Sequence, residues 1–352
     1  MFVSPLTPKS ILVLLCSIMF TALILPVRLL AASDVVIMKN GDRITGDVKK
    51  LNNGDLEIDP PYSGTNFILE WKQVERIESK ATFIAQTSAG DYVTGSVRTD
   101  PEDSNQVFVE GETEVLPVEH SELVYLKPVD EGFWGRLSAS IDFGLSLTKA
   151  DGTRQMNTRG TVGYLTEDWS TSVQVDALRN VRDDADTTKR SEVAGDYRYY
   201  FAGNWFALGT ASFLQSNELQ LDLRSTVGGG VGNYLVRNNR WLFSAQGGAG
   251  WTNENYIDAD PTAADRTSGE GFAGVELNVF DIGSVDILSS FTVIPSFTES
   301  GRFRMDFRTD FQWELIKNLF FRVGFTDNYD NSPVGDAPSN DWVFSTSVGW
   351  SK

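Results

Sequence analysis

The 352-residue chain carries 30 basic and 48 acidic residues, a formal charge of −18, so its surface as a whole repels nucleic acid. One cysteine excludes a disulfide-stapled scaffold, and one histidine leaves little from which to assemble a histidine-based catalytic or metal site. Aromatic residues are 12% and glycines number 31, yet beyond the first forty residues no apolar stretch is long enough for a spanning helix, which leaves an all-β chain.

Residues 1–33 have the layout of a secretory signal. Lys9 precedes an apolar run at 11–25, Pro26 and Arg28 end it, and the small residues of LLAAS at 29–33 predict cleavage before Asp34. The rival, a retained anchor, needs ~20 apolar residues, and this run is shorter. Cleavage removes Cys16 and leaves 28 basic against 48 acidic residues, a mature charge of −20.

Residues 34–128 contain a duplication. NGDRITGDV at 40–48 matches AGDYVTGSV at 89–97, an offset of 49 that also carries Leu69 to Val118, Val74 to Leu123 and Ile77 to Leu126. Each copy reads as several short strands around an Asn-Gly or Ala-Gly-Asp turn. Two small SH3-like β-barrels side by side fit these lengths, with the turns serving as hairpins.

From Phe133 the texture changes to long alternating segments. Leu137, Ala139, Ile141, Phe143, Leu145 and Leu147 interleave with small or polar residues. Similar alternation begins near residues 155, 169, 190, 205, 222, 241, 271, 284, 302, 319 and 341, giving about twelve antiparallel strands. An even number of strands, each of about ten residues or more, suits a closed transmembrane barrel over 133–352. Tight turns at 166–168, 202–204, 237–239, 281–283 and 316–318 alternate with connections at 149–154, 181–189, 216–221, 252–270, 298–301 and 328–340, most of them longer. That asymmetry separates a membrane barrel from the alternative, a secreted β-sandwich.

Aromatics gather beside the short turns and predict an interfacial girdle of Trp134, Tyr164, Trp169, Tyr199, Trp205, Tyr234, Trp241, Trp313, Phe321 and Trp350. Phe201, Phe280 and Phe320 flank the same turns. The polar phase of the strands predicts a lumen lined by Arg136, Asp142, Arg159, Asp176, Glu192, Asp196, Arg198, Arg224, Glu276, Asp286, Arg304, Asp306, Arg308, Asp310, Glu314 and Arg322. Seven arginines against nine acids do not announce strong ion selectivity; they pair across strands or leave a thin hydrated path. Phe206, Leu208 and Leu214 share that phase and predict a partly filled interior. In the segment FRMDFRTDFQWEL at 303–315, the opposite phase, with Phe303, Met305, Phe307, Phe311 and Trp313, should face lipid.

The last strand alternates through Trp342, Phe344, Thr346, Val348 and Trp350, similar to the C-terminal signal read by barrel-assembly machinery, although Ser351 and Lys352 follow. With the duplicated module and the alternating region from Phe133 to the end, the chain resembles the family of salt-induced outer membrane proteins. The resemblance implies an outer-membrane barrel of a Gram-negative bacterium with its N-terminal module in the periplasm. It implies no chemistry.

His120, outside the barrel and aligned with Trp71 of the first copy, predicts packing or a surface position rather than catalysis. The run 228–232 has glycines but lacks the Lys-Ser/Thr and helix start of a phosphate loop. Asp258, Asp260, Asp265, Asp327, Asp330, Asp336 and Asp341 read as solvated loop acids whose spacing matches no EF-hand. The expected protein is a non-enzymatic barrel without a cofactor, either a narrow channel or a closed envelope barrel of the stress response. The alternative is an anchor that presents the module to a periplasmic partner. Expected partners are outer-membrane lipid, lipopolysaccharide and the assembly machinery, with no nucleic acid.

Overall fold

The structure is a computed structural model that describes residues 34–112, 115–129, 132–148, 153–182, 185–257, 266–282, 285–316, 318–333 and 337–351. The signal reading of residues 1–33 lies outside them, as do Asp258, Asp260, Asp265 and Asp336.

Two closed arrangements of strands follow one another. The first copy of the duplication forms β1 (Asp34–Met38), β2 (Arg43–Asn52), β3 (Asp55–Asp59), β4 (Phe67–Glu70) and β5 (Val74–Glu78). The second forms β6 (Phe83–Thr87), β7 (Tyr92–Thr99), β8 (Gln106–Glu110), β9 (Val115–Glu119) and β10 (Leu123–Pro128). They do not make two barrels side by side. β5 leaves its own copy to pair with β7, and β10 pairs with β2, so β1, β5, β7, β6, β10 and β2 close one six-stranded ring. The reason is core size. Each copy has only about eight large apolar side chains to bury, and the exchange merges Val36, Leu56, Ile77 and Trp71 with Phe83, Val107, Leu123 and Leu126 in one core.

The duplication also meets itself face to face. Trp71 and His120, 49 positions apart, open equivalent 3-10 turns, and their rings stack at 4.1 Å and 4°. Trp71 Nε1 donates to the His120 carbonyl at 2.8 Å. Burial, with Lys39 adding to it, holds the His120 imidazole down at about 4.

After a single helical turn, α1 (Gly132–Gly135), twelve antiparallel strands close a barrel. They are β11 (Leu137–Thr148), β12 (Thr153–Leu165), β13 (Trp169–Arg182), β14 (Ala185–Ala202), β15 (Trp205–Ser216) and β16 (Leu221–Arg237). The second half is β17 (Trp241–Tyr256), β18 (Arg266–Ile282), β19 (Val285–Pro295), β20 (Phe303–Ile316), β21 (Leu319–Asp330) and β22 (Asn340–Ser351). The ring closes where Ser140 to Phe143 pair with Ser351 to Val348.

Alternation sorts the side chains as a membrane requires. Ile141, Leu145, Val162, Val173, Phe213, Val227, Val231 and Phe344 point outward and are 46–57% exposed. An apolar outer face on a closed ring leaves no unpaired strand edge to hydrocarbon, the condition for β-structure in lipid. At the short-turn rim Phe133, Tyr164, Trp169 and Tyr197 form a row of stacked rings 5.2–5.8 Å apart. A second aromatic group, Phe303 with Tyr329 and Phe325 with Trp342, lies toward the opposite rim. The short turns alone had not suggested it.

Two connections expected to be loops prove to be partly strand. β13 runs to Arg182 and β14 already begins at Ala185, and β17 runs to Tyr256 before β18 starts at Arg266. Polar residues there keep the inward phase and find partners, so the ladder continues where hydropathy fades.

The six-stranded ring rests on the short-turn rim of the barrel. Asn204 Nδ2 donates to the Ser88 carbonyl at 3.1 Å, and Asn239 Nδ2 donates to the Leu123 carbonyl at 2.9 Å. The approach is close enough to demand glycine. A Cβ on Gly90, whose φ is +93°, would lie 2.4 Å from the Gly203 carbonyl, and one on Gly54 would lie 2.6 Å from the Asn239 oxygen.

Candidate functional site

The lumen is the candidate site, because charged side chains are collected there. Arg159 on β12 holds Asp176 of β13 at 2.5 Å and Asp310 of β20 at 2.9 Å. Next to it Arg322 reaches Asp142, which also accepts from Ser347 Oγ at 2.7 Å. Toward the short-turn rim Arg198 grips both oxygens of Glu276 at 2.8 Å and lies 3.8 Å from Asp196. Arg308 lies 3.9 Å from Asp176 and 3.7 Å from Glu192. Asp306 accepts from Asn328 Nδ2 at 2.6 Å.

The long-loop half adds residues that sequence reading had placed in loops or passed over. Arg304 pairs with Glu270, and both are at most 5% exposed. Arg224 and Arg302 converge on Glu254 at 2.6 and 2.9 Å, and Arg302 also holds Asp330 at 2.6 Å. Arg190 joins Asp341 at 2.7 Å and Asn328 at 2.7 Å. Asp330 and Asp341 are therefore ion-paired, not solvated. The missed signal was phase: Glu254 and Glu270 continue the parity of Gln246 and Glu276, Asp330 that of Arg322, and Arg190 that of Glu192.

Several of these pairs cross the lumen. In a ring of twelve, Arg198 on β14 and Glu276 on β18 are four strands apart, as are Arg159 and Asp310. Arg308 on β20 and Glu192 on β14 are six apart by either route, so that contact spans the full bore. Between the charged layers, a cavity of about 160 Å³ lies against Gly228, Gly250 and Phe272, with Gln246, Glu270 and Arg304 at its edges. A smaller space of about 50 Å³ lies among Asp142, Arg159, Asp176, Glu192 and Arg308.

Some predicted residues stand elsewhere. Arg136 precedes β11 and lines a cleft beside Lys49 and Lys127 at the short-turn rim, apart from the lumen pairs just described. Glu314 is exposed near the end of β20. Tyr234 does not belong to the girdle. It keeps the inward parity of Arg224, is 6% exposed, packs 5.0 Å from Phe206 and accepts from Arg198 Nη1 at 3.1 Å. Proximity to a turn misled here, because a β-bulge between Tyr234 and Val236 resets the phase only after that ring. Phe280 and Phe320 are likewise buried, the latter 4.9 Å beneath the Arg322 guanidinium. Trp134, Tyr199, Trp205, Trp241, Trp313 and Trp350 are 44–66% exposed, and Tyr164, Trp169 and Phe321 are half-buried.

Phe206, Leu208, Tyr234 and Tyr200 close the short-turn end of the bore on the β14–β16 side. The module adds Tyr92, whose ring lies 6.4 Å from Tyr200, and burial pushes the Tyr92 hydroxyl up to about 12. Among the described residues no group of three or more His, Cys, Asp or Glu side chains is placed to hold a metal ion.

No curated protein matches the chain. Among solved structures it is similar to a NanC porin at 10% identity and a TM-score of 0.39, covering 60% of this chain and 97% of that one. It is similar to the translocator domain of the autotransporter NalP from Neisseria meningitidis at 11% identity and 0.33, covering 61% and 87%. It is also similar to BamA from Haemophilus ducreyi lacking POTRA domains 1-3, at 12% and 0.25, covering 85% and 76%. The twelve-stranded ring rests on the strand pairing above, not on these likenesses. A family model described as "Protein of unknown function, DUF481" matches residues 141–351, more than half of the chain, and the chain belongs to that family.

Proposed function

We propose that the chain is an integral barrel of the bacterial outer membrane whose lumen is held shut, a non-catalytic envelope component rather than an open channel. The apolar outer face between two aromatic groups supports membrane insertion, and the module on the short-turn rim is then periplasmic. The observation that carries closure is the contact of Arg308 with Glu192 across the whole bore, backed by the four-strand crossings of Arg159 and Arg198. A hydrated solute would have to break the linked Arg308 and Arg159 pairs, which share Asp176, and the Arg198 pair nearer the short-turn rim. The single histidine, stacked on Trp71 outside the barrel, supports the non-enzymatic reading.

Planar-bilayer recording on the refolded protein tests this. The expected trace in high salt shows no discrete conductance steps. Regular unitary steps from the unmodified chain would overturn closure and restore the narrow channel.

A further inference from the structure

The module leaves part of the short-turn rim uncovered. It is fastened to the turns at 202–204 and 237–239, and elsewhere on the rim a cleft of about 480 Å³ opens between it and the starts of β11 and β21. Four cations line this cleft, Lys49, Lys50, Lys127 and Arg136, against one lining acid, Glu57, with Asp47 and Asp59 beside Lys49. In a chain with a formal charge of −18 that is a local reversal of sign. The lysines of β2 are held loosely: Lys49 is 3.9 Å from both Asp47 and Asp59, and Lys50 is 3.4 Å from Glu57 and 48% exposed.

The barrel side of the cleft mixes apolar Trp134, Leu137 and Leu165 with Arg136, Ser138 and Asn318, at the rim that the membrane reading puts at the periplasmic surface. Trp134 is 66% exposed, and Leu137 stands in the outward phase of Ile141 and Phe143. Neighbouring Phe133 stacks on Tyr164 in the aromatic row of that rim. Ammonium and guanidinium groups beside interfacial rings match a phosphate at headgroup depth with its acyl chains running down the wall. A soluble anion would need the cations but not the exposed Trp134 and the partly buried Leu137 beside them.

We infer that this cleft binds the headgroup of an anionic phospholipid from the periplasmic leaflet, and so seats the module on the membrane as well as on the barrel. The inference rests on the membrane reading above. None of the four cations belongs to the lumen ion pairs described above, so the site is separate from those pairs.

The full chain, folded in detergent micelles, is offered phosphatidylglycerol and phosphatidylethanolamine, and retained lipid is counted by native mass spectrometry. The unmodified protein should retain phosphatidylglycerol at least about tenfold better, and the variant Lys49→Ala/Lys50→Ala/Arg136→Ala should lose that preference. Arg43→Ala/Lys80→Ala, which removes two exposed cations outside the cleft, should keep it. If the triple variant does not fold, Lys50→Gln alone should lose roughly threefold. Equal retention of both lipids, or a preference unchanged in the cleft variants, overturns the inference. So does complete displacement of the lipid by inorganic phosphate at matched concentration, which would mark a free-anion site. Heat-modifiable gel mobility of every sample separates the two readings, because its presence without lipid preference sinks only the headgroup site.

Discussion

Removing Arg304 should be far costlier than removing Arg308, although both are lumen arginines on β20. The Glu270 carboxylate is 3% exposed; one oxygen faces Arg304 and accepts from Thr252 Oγ1 at 2.6 Å, and the other accepts from Ser268 Oγ at 3.0 Å. In Arg304→Met the two hydroxyl bonds persist but the counter-charge is gone, leaving a buried carboxylate without a cation. Breaking a buried pair from one side costs ~3–5 kcal/mol. The hydroxyls cannot offset this, since they contribute equally before and after. Arg308 differs: its pairs are 3.7 and 3.9 Å long and its side chain is 27% exposed, so Arg308→Met should cost no more than about 1 kcal/mol. Adding Glu270→Gln to Arg304→Met neutralises the stranded charge and should recover most of the loss, to within ~1 kcal/mol of the unmodified protein. Urea unfolding from lipid vesicles, followed by tryptophan fluorescence, measures the unmodified protein, these three variants and Glu270→Gln alone. The reasoning fails if Arg304→Met and Arg308→Met cost the same, or if the double variant costs the sum of its single changes.

Phe307 faces outward between the two aromatic groups, so Phe307→Arg should destabilise by ~2–4 kcal/mol in the same assay, against ~0–1 kcal/mol for Trp313→Arg near the rim. Equal costs would mean that the outer face does not meet hydrocarbon. His120 is the chain's only histidine, so its labelled imidazole gives one assignable NMR titration, expected near pH 4. A midpoint near 6.5 would refute the packed, neutral ring. Because the folded value lies below the unfolded one, the module's stability is complete above about pH 6.5 and declines toward pH 4. The loss should be on the order of 1–2 kcal/mol, reduced by the ring's partial exposure.

How much was legible depended on the periodicity each element carried. A strand facing two unlike media shows its period in every residue, so β11, β20 and β22 could be read directly, and the even count of strands with them. Where hydropathy is weak the same reading failed. The segments around Glu254 and Glu270 look like loops because their outward residues are sparse, and only pairing across the ladder makes them strand. Tyr234 failed for another reason: nearness to a turn was allowed to override parity, and a bulge two residues later hid the conflict. The duplication was visible at its offset of 49, but not the exchange of β5 and β10 between copies, since pairing partners leave no mark on either strand alone.

The amino-acid sequence by itself determined a twelve-stranded barrel with an apolar outside and a charged inside, because alternation is local and each residue votes on its own face. It determined the duplicated module by the same token, through repetition along the chain. Which charge meets which was decided only by closure of the ring, which brings Arg308 of β20 against Glu192 of β14 across a bore whose width depends on twelve strands at once. The tertiary structure alone also decided that four cations scattered between positions 49 and 136 share one cleft at the rim. Such pairings follow from how far apart closed strands stand, a distance no stretch of sequence contains.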